Sequence, residues 1–387
     1  MTATRGIGLY VHIPFCAARC PYCDFATAPA TTVLRGRYLA ALLTEISREG
    51  AALGRPRVRT VFFGGGTPSL LEPDEIASLG AALRSAFELR PREVTVEANP
   101  ATLDRARLES WRELGMTRLS LGAQSFRERG LRALGRTHQP EDVEPAVDAA
   151  RGIGCDVSLD LIFGWPGQTA RDWADDLDAA VALGVAHLSA YPLELQLEPD
   201  EGVANWPGGG WPTLERWRRA TEAAGPGDDG VASLYEQAEA RLARSGYRHY
   251  EIANWARAGK RCLHNLTYWR NGEWLGVGTG AHSHLAGRRS RNPAALLDYL
   301  DRIEHGLGRI PDPAAEPALD TAMLALRLDG GLDLSRYGHR FGAAARDRAA
   351  AALRLADGSL VDTIGGRVRL TPRGRLLANE VFASLLP

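Results

Sequence analysis

The chain has 387 residues, 45% of them hydrophobic and 24% charged, which is enough for one large globular domain or for two to three ordinary ones. Its 46 basic and 47 acidic residues give a net charge of −1, which excludes a general electrostatic attraction to nucleic acid or anionic lipid. The sequence has neither a signal-peptide pattern nor an apolar run of membrane-spanning length, and we expect a cytoplasmic protein.

The first two thirds of the chain alternates between strand-like and helix-like segments. Six apolar segments are predicted to be strands: Gly8–Ile13, Val58–Phe63, Glu93–Ala98, Arg118–Ala123, Asp156–Phe163 and His187–Leu193. Amphipathic segments between them are predicted to be helices: Leu34–Leu53, Pro73–Phe87, Leu103–Leu114, Pro140–Ile153 and Ala170–Leu183. This alternation is typical of a parallel sheet with right-handed crossovers, either open and doubly wound or closed toward a barrel.

Polar or glycine-rich residues follow five of these strands, and they favour the barrel. They are a cysteine loop, Gly64–Pro68, Glu97–Pro100, Gln124 and Asp160. In αβ barrels the loops at the carboxyl ends of the strands form the active site. We therefore predict an α/β fold with a partial (β/α)6 barrel.

The pattern changes after Leu193. Two glycine- and proline-rich segments at 206–212 and 225–230 are predicted to be surface loops, followed by a helix at Ala232–Ser245 and a strand at Arg248–Ala253. Pro311–Pro317 is predicted to be a linker to a mainly helical, winged-helix-like domain that ends in a hairpin and a helix. We expect three regions, at 1–225, 226–310 and 311–387. Without a concentrated basic stripe, the last is not expected to bind nucleic acid.

Three of the five cysteines lie within eight residues, as Cys16-x3-Cys20-x2-Cys23, and the other two, Cys155 and Cys262, are isolated. This spacing indicates a metal site rather than a disulfide framework. Three thiolates can occupy three corners of a 4Fe-4S cubane and leave the fourth iron open for a small ligand. The alternative, structural zinc completed by Cys155, Cys262 or His12, usually has two separated cysteine pairs.

The cysteine loop resembles that of radical S-adenosylmethionine (SAM) proteins. Further segments resemble, in the same order, the group formed by oxygen-independent coproporphyrinogen oxidases and the HemW family of heme chaperones: Phe63–Pro68, Val96–Pro100, Ser120–Phe126, Leu134–His138, Asp160–Thr169 and Leu370–Gly374. The resemblance covers nearly the whole chain. It implies a cluster that chelates SAM and, after one-electron reduction, cleaves it to methionine and a 5′-deoxyadenosyl radical.

The resemblance also implies a set of SAM-binding residues. Gly65, Gly66 and Thr67 correspond to the site for the methionine end of SAM, and Tyr10 and Tyr22 are expected near the cluster and the adenosyl group. Charge complementarity assigns Glu97 and Arg136 to the amino and carboxylate groups of SAM. Gln124 and Asp160 are candidates for the ribose hydroxyls, and a carboxylate inside an apolar strand, as Asp160 is, requires a ligand or a buried partner.

Two departures separate the chain from the oxidases that it resembles. Those oxidases have a further cysteine two residues after the third, where this chain has Phe25, and a longer segment before the motif, where this chain has fifteen residues. Both departures favour the heme-chaperone branch, which has Cys-Asp-Phe at this place. The chain is therefore not expected to be an active coproporphyrinogen III oxidase, although whether it is an enzyme stays open.

A second segment, Glu251–Trp269, resembles the His-Asn-x-x-Tyr-Trp element of the heme chaperones. Its His264 is a candidate heme ligand, with an equal case for a hydrogen-bonded structural histidine; His282 is a weaker candidate. The expected partners are heme and acceptor hemoproteins, including those of the respiratory chain, and the absence of a spanning segment leaves peripheral membrane contact open. A radical SAM enzyme of another substrate is the remaining alternative.

Overall fold

The computed structural model describes residues 6–195, 206, 211–314, 316–356 and 358–386. Its strands are β1 Ile7–Ile13, β2 Phe15–Cys16, β3 Ala28–Pro29, β4 Arg57–Gly65, β5 Glu88–Ala98, β6 Arg118–Gln124, β7 Asp156–Phe163, β8 His187–Pro192, β9 Arg248–Glu251, β10 Asn254–Ala256, β11 Trp274–Val277, β12 His282–Leu285, β13 Arg288–Arg291, β14 Ile310–Pro311, β15 Leu332–Asp333, β16 Val361–Ile364 and β17 Arg367–Leu370.

The α-helices cover most of the remaining described chain. They are α1 Thr32–Ala52, α2 Pro73–Ala86, α3 Arg105–Leu114, α4 Glu128–Ala133, α5 Val143–Gly152, α6 Ala170–Ala182, α7 Trp211–Ala223, α8 Gly227–Arg244, α9 Leu263–Trp269, α10 Leu296–Glu304, α11 Pro317–Leu326, α12 Leu334–Phe341, α13 Ala343–Leu355, α14 Pro372–Leu376 and α15 Ala378–Ser384. None of the helices in these described ranges is long and apolar enough to cross a membrane.

Six parallel strands in the order β1-β4-β5-β6-β7-β8 form the centre of the molecule, and at least one helix connects each strand to the next. This arrangement confirms the predicted partial (β/α)6 barrel. Successive side chains of a strand point to opposite faces. On β1, for example, Leu9 and Val11 are fully buried in the hydrophobic core that the strands share with the helices, whereas Tyr10 lines an internal cavity.

Further strands extend the parallel sheet at both edges. β11 pairs in parallel with β1 and continues through the antiparallel β12, β13 and β14, while β10 and β9 add antiparallel strands beside β8. The predicted strand at Arg248–Ala253 is wrong in its extent, because the chain reverses after Glu251 and forms two short strands. The predicted loop at 225–230 is also wrong from Gly227 onward, where α8 begins with Asp228 and Asp229 in its first turn.

The C-terminal region forms a separate small core. Helices α11 to α15 surround the three-stranded sheet β15-β17-β16, and residues such as Leu326, Val368 and Val381 are buried between them. This arrangement confirms the predicted mainly helical, winged-helix-like domain. The sequence pattern did not predict α12, which is short and has a single buried residue, Tyr337. The predicted linker is partly a strand, because Ile310 and Pro311 pair with β13.

Candidate cofactor site

The inner faces of the parallel strands enclose a cavity of about 660 Å³. All of the residues predicted for the cluster and for SAM line it: Tyr10, Cys16, Cys20, Tyr22, Cys23, Gly65, Gly66, Thr67, Glu97, Gln124, Arg136 and Asp160. The predicted heme ligand His264 and the weaker candidate His282 do not line it. The structure therefore brings together residues that are up to 150 positions apart, since Tyr10 and Asp160 share this space.

The cysteine loop lies at one end of the cavity. Cys16 ends β2, which pairs with β3, so that the loop between the two strands is closed at its base. The backbone N–H of Cys23 donates to the carbonyl of Cys20 at 3.0 Å. Arg218 of α7 is fully buried and donates to the carbonyls of Pro21 at 2.9 Å and Cys23 at 3.1 Å. A helix from a distant part of the chain thus holds the conformation of the loop.

The three thiols are free, and their surroundings fit an iron–sulfur cluster. Burial raises the pKa of Cys16 to about 11 and that of Cys23 to about 12, so the thiolates need a nearby positive charge such as iron to form at neutral pH. Two donors already point at sulfur: the Thr67 hydroxyl lies 3.5 Å from Sγ of Cys16, and Nη1 of Arg136 lies 3.5 Å from Sγ of Cys20. Hydrogen bonds to the cysteine sulfurs help to set the reduction potential of an iron–sulfur cluster.

Across the described ranges, no three histidine, cysteine, aspartate or glutamate side chains converge on a position for a single metal ion. A cubane does not require such convergence, because each thiolate binds its own iron atom. The cysteine loop therefore lacks the arrangement of a mononuclear zinc site and is compatible with the cluster that the spacing predicts.

The glycine segment after β4 packs tightly against the cysteine loop. Gly65 has a φ of +112°, and a Cβ there would lie 2.4 Å from Cε1 of His12. A Cβ on Gly66 would lie 2.5 Å from the carbonyl oxygen of Pro14. Only glycine tolerates both the backbone conformation at the first position and the close approach at the second. The segment therefore runs directly beside the ends of β1 and β2.

Glu97 lies beside this segment and is deeply buried. Its Oε2 accepts a hydrogen bond of 2.9 Å from the backbone N–H of Gly65. Burial raises the pKa of Glu97 to about 7, and the nearby Asp160 also raises it. A bound cation, such as an amino group, stabilises the ionised carboxylate in such a place.

Asp160 has the buried partners that its position in an apolar strand requires. The hydroxyl of Ser189 donates to Oδ1 at 2.6 Å and that of Ser120 donates to Oδ2 at 3.0 Å. Burial raises the pKa of Asp160 in spite of these two bonds. Gln124, at the end of the neighbouring β6, has a φ of +63° and its side chain lines the cavity. Left-handed backbone at a residue other than glycine is strained and is concentrated at functional sites.

His264 lies in the wall behind the cavity, with both ring nitrogens occupied. Nδ1 is 2.9 Å from the hydroxyl of Thr60, and Nε2 is 2.7 Å from the hydroxyl of Tyr268. The side chain is fully buried, and burial lowers its pKa to about 3. The ring is therefore neutral, as a metal ligand must be, but ligation through Nε2 requires that Tyr268, which does line the cavity, moves away.

Several cavity residues were not predicted from the sequence. Their strands alternate, so that every second side chain faces inward, and they are Arg118 and Ser120 of β6, Ser158 of β7, and His187 and Ser189 of β8. The signal that could have identified them is the polar residue at every second position of otherwise apolar strands. The same signal also occurs in strands with one solvent-facing side.

The chain matches models of two known protein families. Residues 10–180 match the radical SAM superfamily, and residues 313–377 match the HemN C-terminal domain. Among solved structures, the coproporphyrinogen III oxidase HemN from Escherichia coli, described as a radical SAM enzyme, is similar with a TM-score of 0.82 and 25% identity, over 99% of this chain and 90% of that one.

Bacterial proteins that carry the name heme chaperone HemW are similar to this chain over most of its length. The protein from Mycobacterium tuberculosis H37Rv is 41% identical over 98% of this chain and 94% of its own length. The Bacillus subtilis protein is 34% identical over 97% and 98% of the two lengths, and the Escherichia coli K12 protein is 37% identical over 76% and 77%.

Proposed function

The chain belongs to the radical SAM superfamily and, within it, to the HemW family of heme chaperones, and from this membership we propose that it binds a 4Fe-4S cluster, SAM and heme and passes heme to acceptor hemoproteins. The observation that carries the proposal is the single cavity that joins the cysteine loop to the predicted SAM residues, combined with full-length similarity to named heme chaperones.

Cys16, Cys20 and Cys23 are the proposed cluster ligands. When bound, the cluster can supply one electron to SAM. The Thr67 hydroxyl and the Arg136 guanidinium, which donate to two of the sulfurs, would stabilise the thiolates. Arg218 keeps the loop in place through the Pro21 and Cys23 carbonyls.

The remaining cavity residues are proposed to orient SAM. Glu97 would accept its amino group, whose positive charge favours the ionised form of a carboxyl with a pKa near 7. Arg136 would hold the carboxylate, and Gln124 and Asp160 the ribose hydroxyls. Asp160 is fixed for this role by Ser120 and Ser189. Tyr10 is similarly fixed, because its hydroxyl lies 3.0 Å from Nδ1 of His12.

Phe25 supports the chaperone proposal over oxidase activity. It occupies the position at which the resembling oxidases have a further cysteine, and its side chain is 58% exposed at the edge of the cavity. A phenyl ring there cannot supply the thiol that the oxidases have. The second candidate function, oxidative decarboxylation of coproporphyrinogen III, is supported by the similarity to HemN. Anaerobic turnover of coproporphyrinogen with SAM and a reductant separates the two, and we expect none.

The heme is proposed to bind in or at this cavity, with His264 as the iron ligand after Tyr268 has moved. The acceptors are proposed to be hemoproteins, including those of the respiratory chain. The five free thiols support a reducing compartment such as the cytoplasm.

An anaerobic heme titration of the cluster-loaded protein tests the proposal. We expect a saturable Soret band with one heme per chain, followed by loss of the band when an apo-hemoprotein is added and becomes loaded. A protein that binds no heme, or that binds heme but never releases it to any acceptor, contradicts the chaperone function. Turnover of coproporphyrinogen in the same preparation would favour the oxidase instead.

A further inference from the structure

A buried guanidinium lies deeper in the cavity, away from the cysteine loop. Arg118 begins β6, is only 5% exposed, and lines the cavity. Its single hydrogen bond among the described residues is a long one, 3.4 Å from Nη1 to the carbonyl oxygen of Lys260. No carboxylate of those residues forms an ion pair with it. Arginine cannot be neutralised by loss of a proton, so a buried and unpaired guanidinium is unfavourable without an anion.

Two acidic side chains of this region, Asp160 and Glu93, accept hydrogen bonds from groups other than Arg118. Asp160 is close enough to feel the charge of Arg118, but its two oxygens accept from Ser120 and Ser189. Glu93 accepts from the backbone N–H groups of Leu263 and His264 at the start of α9. In the part of the chain that is described, this guanidinium therefore has no direct ion-pair partner, and the charge of Asp160 acts on it only at a distance.

A second donor faces the same space. Asn265 lines the cavity, and its carboxamide has no hydrogen bond with any described residue. Its neighbour His264 points instead into the wall, toward Thr60 and Tyr268. The adjacent side chains of His264 and Asn265 thus point in different directions. Asn265 lines the same cavity as Arg118, together with Ser158, His187, Cys262 and Tyr268. The hydroxyl of Ser158 and Nδ1 of His187 are hydrogen-bonded to each other at 2.7 Å.

We propose that Arg118 and Asn265 form a carboxylate-binding site in the part of the cavity away from the cysteine loop, and that its occupant is a propionate of heme. The guanidinium offers a planar pair of N–H donors that matches a carboxylate, and the amide offers a further N–H. A singly charged carboxylate suits a cavity that already contains Glu97 and Asp160 better than a multiply charged phosphate does. The assignment rests on the proposed heme binding and names the group by which this cavity recognises it.

The test compares hemin with hemin dimethyl ester, in which both propionates are blocked, by Soret titration of the wild-type chain and of Arg118→Gln. We expect Arg118→Gln to weaken hemin binding about 10- to 150-fold, the range of a hydrogen bond to a charged group, and to leave ester binding unchanged. Arg118→Lys keeps the charge and should recover part of the loss. Asn265→Ala, at a less buried position, should weaken the binding of hemin about two- to tenfold and leave the binding of the ester unchanged.

Other outcomes overturn the assignment. Equal weakening of hemin and ester by Arg118→Gln means that the residue only supports the fold. Loss of SAM binding in equilibrium dialysis, with hemin unaffected, means that the guanidinium holds the carboxylate of SAM. If Arg118→Gln does not fold, Asn265→Ala decides alone by the same comparison. Absence of hemin binding to the wild-type chain contradicts the proposed function itself, and not only this site.

Discussion

The proposed ligation of heme by His264 carries a free-energy penalty that can be measured. In the structure the Nε2 atom of His264 is 2.7 Å from the hydroxyl of Tyr268, and ligation through this atom must break that hydrogen bond. A buried neutral hydrogen bond contributes about 0.5–1.5 kcal/mol net, so heme binding is weakened about two- to tenfold while the bond exists. The substitution Tyr268→Phe removes the hydroxyl and therefore the competition.

Two measurements on Tyr268→Phe test this competition. Anaerobic heme titration should give a dissociation constant about two- to tenfold lower than that of the wild-type chain, at an unchanged Soret position. Chemical unfolding of the heme-free protein should show a loss of about 1–3 kcal/mol, because a ring nitrogen is left buried without a partner. In contrast, His264→Ala should both weaken heme binding and shift the Soret band.

The matched control is Tyr299→Phe. The Tyr299 hydroxyl is also buried and donates to Oε2 of Glu45 at 2.8 Å, but the residue does not line the cavity. This control should lose stability without a change in heme affinity. If Tyr268→Phe binds heme no more tightly than this control does, and His264→Ala keeps the wild-type Soret band, His264 is a structural residue of the wall and not the heme ligand.

Cys16→Ser should abolish the charge-transfer absorption and iron content of the reconstituted protein, whereas Cys155→Ser should keep both; equal loss in the two would refute the cluster assignment. Gly65→Ala should lower the melting temperature strongly because its Cβ would overlap the His12 ring, whereas Gly36→Ala, with open space on an exposed face of α1, should gain about 0.5–1 kcal/mol in unfolding experiments. Asp176 is buried and accepts from Ser125, and burial raises its pKa from 3.8 to about 6; the folded state therefore holds a proton that the unfolded chain releases. Its contribution to stability is thus fully present below pH 3.8 and lost as the pH rises through 6, so unfolding curves of wild-type and Asp176→Asn should differ in pH dependence only across this window; parallel profiles would contradict the raised pKa.

The sequence predicts the central barrel well because its signals are local. Each of the six parallel strands is a run of apolar residues bounded by turns, and the helices between them have one apolar face. The strands beyond residue 248 have only two to four residues, and their pairing depends on contacts far along the chain. β11, for example, pairs with β1 at a separation of more than 260 residues, and no local pattern contains that information.

In the candidate site, too, the features with local sequence signals are predictable and those that depend on distant contacts are not. The three cysteines lie in one loop, so their spacing alone predicts the cluster. Arg218, which holds the loop by its carbonyls, is 195 residues from Cys23 in the sequence and resembles any other arginine of a helix. The direction of the His264 ring is also beyond local patterns, because its partner Thr60 is 204 residues away. A residue whose role depends on a partner far along the chain can be identified only from the folded structure.

The order of the charged side chains along the cavity implies that the proposed ligands, SAM and heme, affect each other's binding. Arg136 lies beside Cys20 and Glu97 beside Gly65, both at the end that would hold the cluster. Asp160, which accepts from Ser120 of β6, lies deeper, and Arg118 lies deeper still at the start of that strand. Asp160 is therefore influenced by a cation on either side, Arg118 and Arg136, and each guanidinium can interact with an anion that enters the cavity. Heme bound through Arg118 would place its carboxylate near Asp160, so that SAM, held by Asp160, and heme would influence each other through a shared electrostatic field. Mutual dependence of the two affinities follows by linkage, with the same factor in both directions.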